Sequence, residues 1–288
     1  MDANKRIQKW IEYGDETAVL DLSHLTNIGE LPKLPVNLQK LNCNGCFSLK
    51  ELPELPESLQ QLICSNCPYL KELPKLPLNL QKLNCNRCFS LKKLPELPLN
   101  LQILDCNYCF NLKELPKLPN SIQELNCSSC IIKKLPELSE SLQRLDCSNC
   151  PIKELTELPP NLKVLHCHNC SKLEELSNLP ESLQTLYCYS CSNLKKLHNL
   201  PSNLRSLVCS YCPTLKELPE LPSSLIRLYC SNCFNLKELP KLPESLQILC
   251  CYKCPIEKLP ELPLYLINLK CQKCPIKSFP PILPITFY

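Results

Sequence analysis

Leu38-Gln39-Lys40-Leu41-Asn42-Cys43-Asn44-Gly45-Cys46-Phe47-Ser48-Leu49-Lys50-Glu51-Leu52-Pro53-Glu54-Leu55-Pro56 is the stretch that decides the fold. Leu41, Asn42 and Cys43 alternate apolar and polar, the period of a short strand buried on one face, so Lys40, Asn42 and Asn44 face away from the core. After Leu49 comes Leu52-Pro53-Glu54-Leu55-Pro56. Each proline lacks an amide donor and pushes the residue before it into extended or polyproline II geometry, so this return segment is extended rather than helical. Parallel strands need a return connection, and at this length it is very thin.

The same unit recurs along nearly the whole chain. CxxC pairs begin at Cys43, Cys64, Cys85, Cys106, Cys127, Cys147, Cys167, Cys188, Cys209, Cys230, Cys251 and Cys271, spaced 21 or 20 residues apart. Twelve pairs use 24 of the 25 cysteines and leave Cys250 over. The 20-residue spacings lose one residue after the second cysteine, as in Cys150-Pro151-Ile152 against Cys67-Pro68-Tyr69-Leu70. An earlier unit from Leu20 to Pro32 carries Leu22 and Leu25 in the cysteine columns, which makes thirteen units. The expected organisation is an N-terminal cap over 1–17, a solenoid of thirteen 20–21-residue units over 18–284, and a tail over 285–288. One unit holds too few leucines to offset the entropy of ordering its backbone, so stacking on neighbours must supply the difference.

The chain resembles the leucine-rich-repeat proteins through the pattern LxxLxCxxCx(x)LxxLPxLPxx, with Cys46 and its equivalents where asparagine often stands. The LPxLP return is similar to the short bacterial subtype found in secreted effectors of the YopM kind and in the repeat domains of IpaH-type ubiquitin ligases. Cysteine-bearing arrays of giant amoeba-infecting viruses look similar too. The resemblance covers about residues 18–284. It implies a leucine-rich-repeat horseshoe, with short parallel strands on a concave face, extended returns on a convex face and a protein-binding role. The ligase effectors add a catalytic domain with a Cys-x-Asp nucleophile. No cysteine here is followed two residues later by aspartate, so the resemblance does not carry ligase activity to this chain.

Composition narrows the remaining classes. Three glycines, at 14, 29 and 45, cannot build a phosphate-cradling loop, and no catalytic constellation is present. The net charge of +4 is too mild for a nucleic-acid footprint. No apolar run reaches the ~18 residues of a membrane span, and Met1 to Asp15 lacks a secretory apolar core. The expectation is a non-enzymatic protein in the cytoplasm, or in the host cytosol for a pathogen or viral factor, without cofactor, nucleic-acid or membrane partner. Residues 3–13 form the expected capping helix, with Ile7, Trp10 and Ile11 on one apolar face and Gly14 as the stop. At the other end, the strand near Leu269 to Cys271 is expected to present an open edge, a route to self-association.

Twelve CxxC pairs invite a zinc or redox reading. Leucine in both columns of the first unit favours packing, because free cysteine behaves as a small buried hydrophobe. His166-Cys167-His168 is the most metal-like local cluster, yet strand alternation sends its histidines outward and Cys167 inward. No metal site is therefore assigned. The runner-up functions are a metal- or redox-responsive cysteine array and the repeat fragment of a larger ligase-like effector.

The outward strand column is more informative. It reads Asp21, Asn42, Ile63, Asn84, Asp105, Asn126, Asp146, His166, Tyr187, Val208, Tyr229, Cys250, Lys270. Asn and Asp dominate until His166, where the chemistry changes. His168, Tyr189 and Tyr252 lie on the same face, and Tyr211 lies just beyond a strand. Tyrosine-rich patches are enriched in binding hot spots. The expected binding residues are His166, His168, Tyr187, Tyr189, Tyr211, Tyr229 and Tyr252. Ser139, Thr156, Ser177 and His198 replace prolines near this region, and a local change of curvature is expected there.

Overall fold

The computed structural model describes residues 2–155 and 157–278, together with the backbone of 286–287. The expected return segment from Pro280 to Pro284, the tail side chains from Ile285 to Tyr288, and Thr156 lie outside the described residues. The chain divides into two compact units, Met1–Leu142 and Gln143–Tyr288. Both are built from parallel-strand solenoid turns of the same kind. No helix among the described residues is long and apolar enough to cross a membrane.

The first unit opens on α1 (Ala3–Tyr13). Asp2 caps it by accepting from the amide of Lys5 at 2.9 Å, and Gly14, in the left-handed region at φ 74°, donates to the Trp10 carbonyl at 3.3 Å. Its buried face is Ala3, Ile7 and Trp10, while Ile11, expected to share that face, is exposed. An i, i+4, i+7 stripe replaces the expected i, i+3, i+4 one. The Trp10 indole donates to the Ala18 carbonyl and Arg6 to the carbonyls of Asp21 and Ser23, so the helix covers the first turn.

Six three-residue strands follow: β1 (Val19–Asp21), β2 (Lys40–Asn42), β3 (Gln61–Ile63), β4 (Lys82–Asn84), β5 (Ile103–Asp105) and β6 (Glu124–Asn126). Each pairs in parallel with the next, aligning Leu20, Leu41, Leu62, Leu83, Leu104 and Leu125. These central leucines are buried and their neighbours face outward, as the period of two requires.

The second unit repeats this plan with β7 (Arg144–Asp146), β8 (Val164–His166), β10 (Thr185–Tyr187), β12 (Ser206–Val208), β13 (Arg227–Tyr229), β14 (Ile248–Cys250) and β15 (Asn268–Lys270). They too pair in parallel, Leu145 through Leu269 in register. The edge expected to be open at Leu269 is covered. The backbone of β16 (Thr286–Phe287) pairs with Asn268 and Leu269.

On the return side, β9 (Glu175–Leu176) pairs with β11 (Lys196–Leu197). The cause is local. His198 stands where most turns have proline, and its amide donates to the Leu176 carbonyl at 2.9 Å. Losing the proline restores the donor, and the return zips into a short ladder.

The cysteines behave as packing residues. All 25 are free thiols, and all but Cys274 are buried. The second thiol of a pair reaches back one turn to a backbone carbonyl: Cys88 to Cys64 at 3.1 Å, Cys109 to Cys85 at 3.2 Å, Cys191 to Cys167 at 3.2 Å. Burial pushes the Cys43 thiol far up, Cys67 to about 12 and Cys212 to about 11, so these three stay protonated, whereas hydrogen bonds to neighbouring thiols draw Cys88, Cys254 and Cys274 down. Among the described residues, no cluster of three or more His, Cys, Asp or Glu side chains is arranged to hold a metal ion.

Candidate functional site

The site lies within the second unit, on the outward face of β7, β8 and β10. Parallel register places Asp146, His166 and Tyr187 side by side. Two residues further on, Ser148, His168 and Tyr189 form a second row. It is held by the amide of Asn149 on the His168 carbonyl at 2.8 Å and that of Asn169 on the Tyr189 carbonyl at 2.9 Å.

The four rings stack in two pairs. His166 lies on Tyr187 with centroids 4.6 Å apart and planes 17° apart. His168 lies on Tyr189 at 4.3 Å and 7°. The two histidines are 6.4 Å from each other. Such offset ring contacts are close to the strand spacing of ~4.8 Å, so the sheet itself sets the stacking distance.

Hydrogen bonding from β7 orients the imidazoles. The Asp146 carboxylate is 3.6 Å from His166 Nδ1 and accepts from the Ser148 amide at 3.0 Å. The Ser148 hydroxyl, fully buried, sits 2.7 Å from His168 Nδ1. Partial burial would raise the Asp146 pKa, but hydrogen bonds from His166 and Ser148 outweigh it and hold the carboxyl below 3.8. Burial holds His168 below 6.5, the nearby Asp146 charge opposing only in part. His168 is therefore a neutral ring at pH 7, well suited to lie against a phenol. Asp146 lies beside His166 and also bonds Ser148, whose hydroxyl meets His168, so the two imidazoles are linked through Asp146 and Ser148. Burial also keeps the Ser148 hydroxyl from any substrate.

Of the seven expected site residues, the structure joins four. Tyr229 stands apart in the same column, between Val208 and Cys250. Tyr252 packs with lysines instead: Lys253 Nζ is 5.5 Å and Lys273 Nζ 5.6 Å from its ring, and Lys273 first among them holds its phenol below 10. Tyr211 occupies the left-handed position inside its CxxC loop (φ 58°) and projects from the turn, not the strand. Asp146 and Ser148, missed as site residues in the sequence, become visible once the register is known, because they are one turn before His166 and His168.

No protein-family model matches the chain, and no curated protein matches it. Solved structures do. YopM from Yersinia enterocolitica is similar at 32% identity and TM-score 0.78, over 99% of this chain and 66% of that one. This chain thus spans just under two thirds of that protein. YopM from Yersinia pestis, described as a leucine-rich effector protein, is similar at 30% identity and TM-score 0.68, over 97% of this chain and 89% of that one. A leucine-rich-repeat protein from Bacteroides ovatus shares the fold at 20% identity and TM-score 0.52, over 84% of this chain and 74% of that one. Fold, repeat pattern and identity agree, and the chain belongs to the YopM-like leucine-rich-repeat proteins.

Proposed function

We propose that this chain is a non-enzymatic protein-binding module, and that a partner protein docks on the outward strand face of the second unit. Leucine-rich-repeat folds serve as interaction modules in general. The observation that carries the finer reading is the double stack of His166 on Tyr187 and His168 on Tyr189. Stacking fixes four rings before any partner arrives, so little side-chain entropy remains to be lost on binding. Tyrosine adds a large contact area and a hydroxyl on two rotatable bonds. Tyr229 and Tyr252 act as outlying contacts on the same face, and Tyr211 as a lateral one. By likeness to the Yersinia pestis leucine-rich effector protein, this reading makes the chain an effector, with host proteins as its expected partners.

Support against the cysteine-array alternative comes from the thiols, buried and turned onto backbone carbonyls. The test is affinity capture from host-cell lysate with the unaltered protein, a Tyr187→Ala/Tyr189→Ala variant and an Asn42→Ala/Asn84→Ala variant. The expected result is a protein retained by the first and third and lost from the second. Retention by the tyrosine variant with loss from the asparagine variant would contradict the reading.

A further inference from the structure

The geometry points to a second docking surface, in the first unit, on the flank that follows β4, β5 and β6: Phe89, Tyr108, Phe110 and Ile131, bordered by lysines, fit a short acidic peptide carrying an aromatic or large aliphatic side chain.

The position after the second cysteine of each turn leaves the strand and faces solvent. In the first unit it holds Phe47, Pro68, Phe89, Phe110 and Ile131; in the second it holds Pro151, Ser171, Ser192, Pro213, Phe234, Pro255 and Pro275, where no two rings are adjacent. Phe89 and Phe110 are 40% and 50% exposed, yet stacked on each other at 5.3 Å with planes 15° apart. Tyr108 meets Phe110 edge-on at 5.9 Å. It does so from the left-handed region, at φ 54°, where a bulky side chain is uncommon. The Arg87 guanidinium lies over the Tyr108 ring, 5.3 Å from its centroid. Ile131, 40% exposed, continues the strip by one turn. Singly exposed apolar residues mean little, but a contiguous strip of stacked rings marks a contact surface.

Charge selects the occupant. Three residues beyond these positions stand Lys92, Lys113 and, one residue nearer, Lys133; Lys93 and Lys134 follow directly. Against five lysines and Arg87 these segments set Glu114 alone. Among the described residues, no ion pair engages any of the five lysines. The corresponding column of the second unit mixes its charges, with Lys195 paired to Glu174 at 2.6 Å and Lys-Glu neighbours at 153–154, 216–217 and 237–238. Charge excess and exposed rings therefore coincide on the same turns. Carboxylates of a partner segment meet the lysines while its apolar side chain lies on Phe89 and Phe110. Three turns at ~4.8 Å span roughly 10–15 Å, the reach of about four extended residues. Nucleic acid is the less favoured occupant, because a net charge of +4 offers little attraction for a continuous phosphate chain and Glu114 interrupts the lysines.

The test is fluorescence anisotropy of the full chain with three dye-labelled probes: a peptide alternating Glu and Phe, one alternating Lys and Phe, and an oligo-dT strand. The acidic peptide should bind and weaken with added salt. Its affinity should fall about tenfold or more in Phe89→Ser/Phe110→Ser and in Lys133→Glu/Lys134→Glu, and stay unchanged in Tyr187→Ala/Tyr189→Ala. Circular dichroism should show every variant folded, since all the replaced side chains are surface-exposed or lie on the strand face. Equal binding of the basic peptide, unchanged affinity in both flank variants, or oligo-dT as the tighter probe lost in those variants would each overturn the proposal.

Discussion

Two columns occupy the same strand position and do opposite things. In the first unit the outward residue is mostly Asn or Asp, and its side-chain oxygen turns back on its own chain. Asp21 accepts from the Ser23 amide at 2.9 Å, Asn42 from Asn44 at 3.0 Å, Asn84 from Asn86 at 3.1 Å, and Asn126 from Ser128 at 3.1 Å. These are Asx turns, which close the strand exit locally. In the second unit Asp146 makes the same bond, and after it come His166, Tyr187, Val208 and Tyr229, which carry no such acceptor. The backbone plan is the same in each unit, with aligned leucines and thiol–carbonyl bonds in both. On the proposed function, an outward side chain that does not close its own turn is the one a partner meets.

That comparison breaks first at the core, where the two units should be alike. Leu104→Ala and Leu186→Ala each remove a fully buried leucine and should cost about 2–5 kcal/mol in urea unfolding. A loss confined to one unit would show that the shared register does not carry both.

The next largest effect should separate them. Tyr187→Ala should weaken partner binding by about 1–2 kcal/mol with little change in melting temperature. Asn126→Ala should do the reverse. It deletes an oxygen that accepts from both the amide and the hydroxyl of Ser128, at 3.1 and 2.8 Å, and should cost about 0.5–1.5 kcal/mol of stability with binding intact.

The smallest effect is on pH. His168 is held below 6.5 by burial, so as pH falls through that value the unfolded chain takes up the proton first and stability declines until the folded value is passed. Asp146 adds stability that is complete above 3.8 and lost as pH falls through its lower folded value. Melting temperature should therefore drop modestly between about pH 7 and 5, and less so in His168→Gln. An identical slope in that variant would remove His168 as the cause.

Much of this was legible in the sequence. The CxxC spacing gives the turn length, and the Leu-x-Cys alternation assigns Leu104 inward and His166 outward, as found. The tyrosine cluster in the second unit was visible as a change of column chemistry. What was not legible depended on register or on a single donor. Asp146 and Ser148 orient the histidines from 20 residues away, a relation that only strand pairing reveals. The β9–β11 ladder hangs on the amide that His198 restores. Tyr211 lies just beyond the strand, as its sequence position implies, and the left-handed backbone that carries it there is not legible in the sequence. The helix buries Ala3, Ile7 and Trp10 along its whole length, and Ile11 lies just off that stripe.

The most direct measurement is site-specific photocrosslinking in host-cell lysate, with a benzophenone amino acid placed at position 187 or, in a second protein, at position 84. The account predicts a discrete crosslinked partner from position 187 and none from position 84, whose native asparagine serves its own turn. A partner captured from position 84 and not from 187 would contradict it.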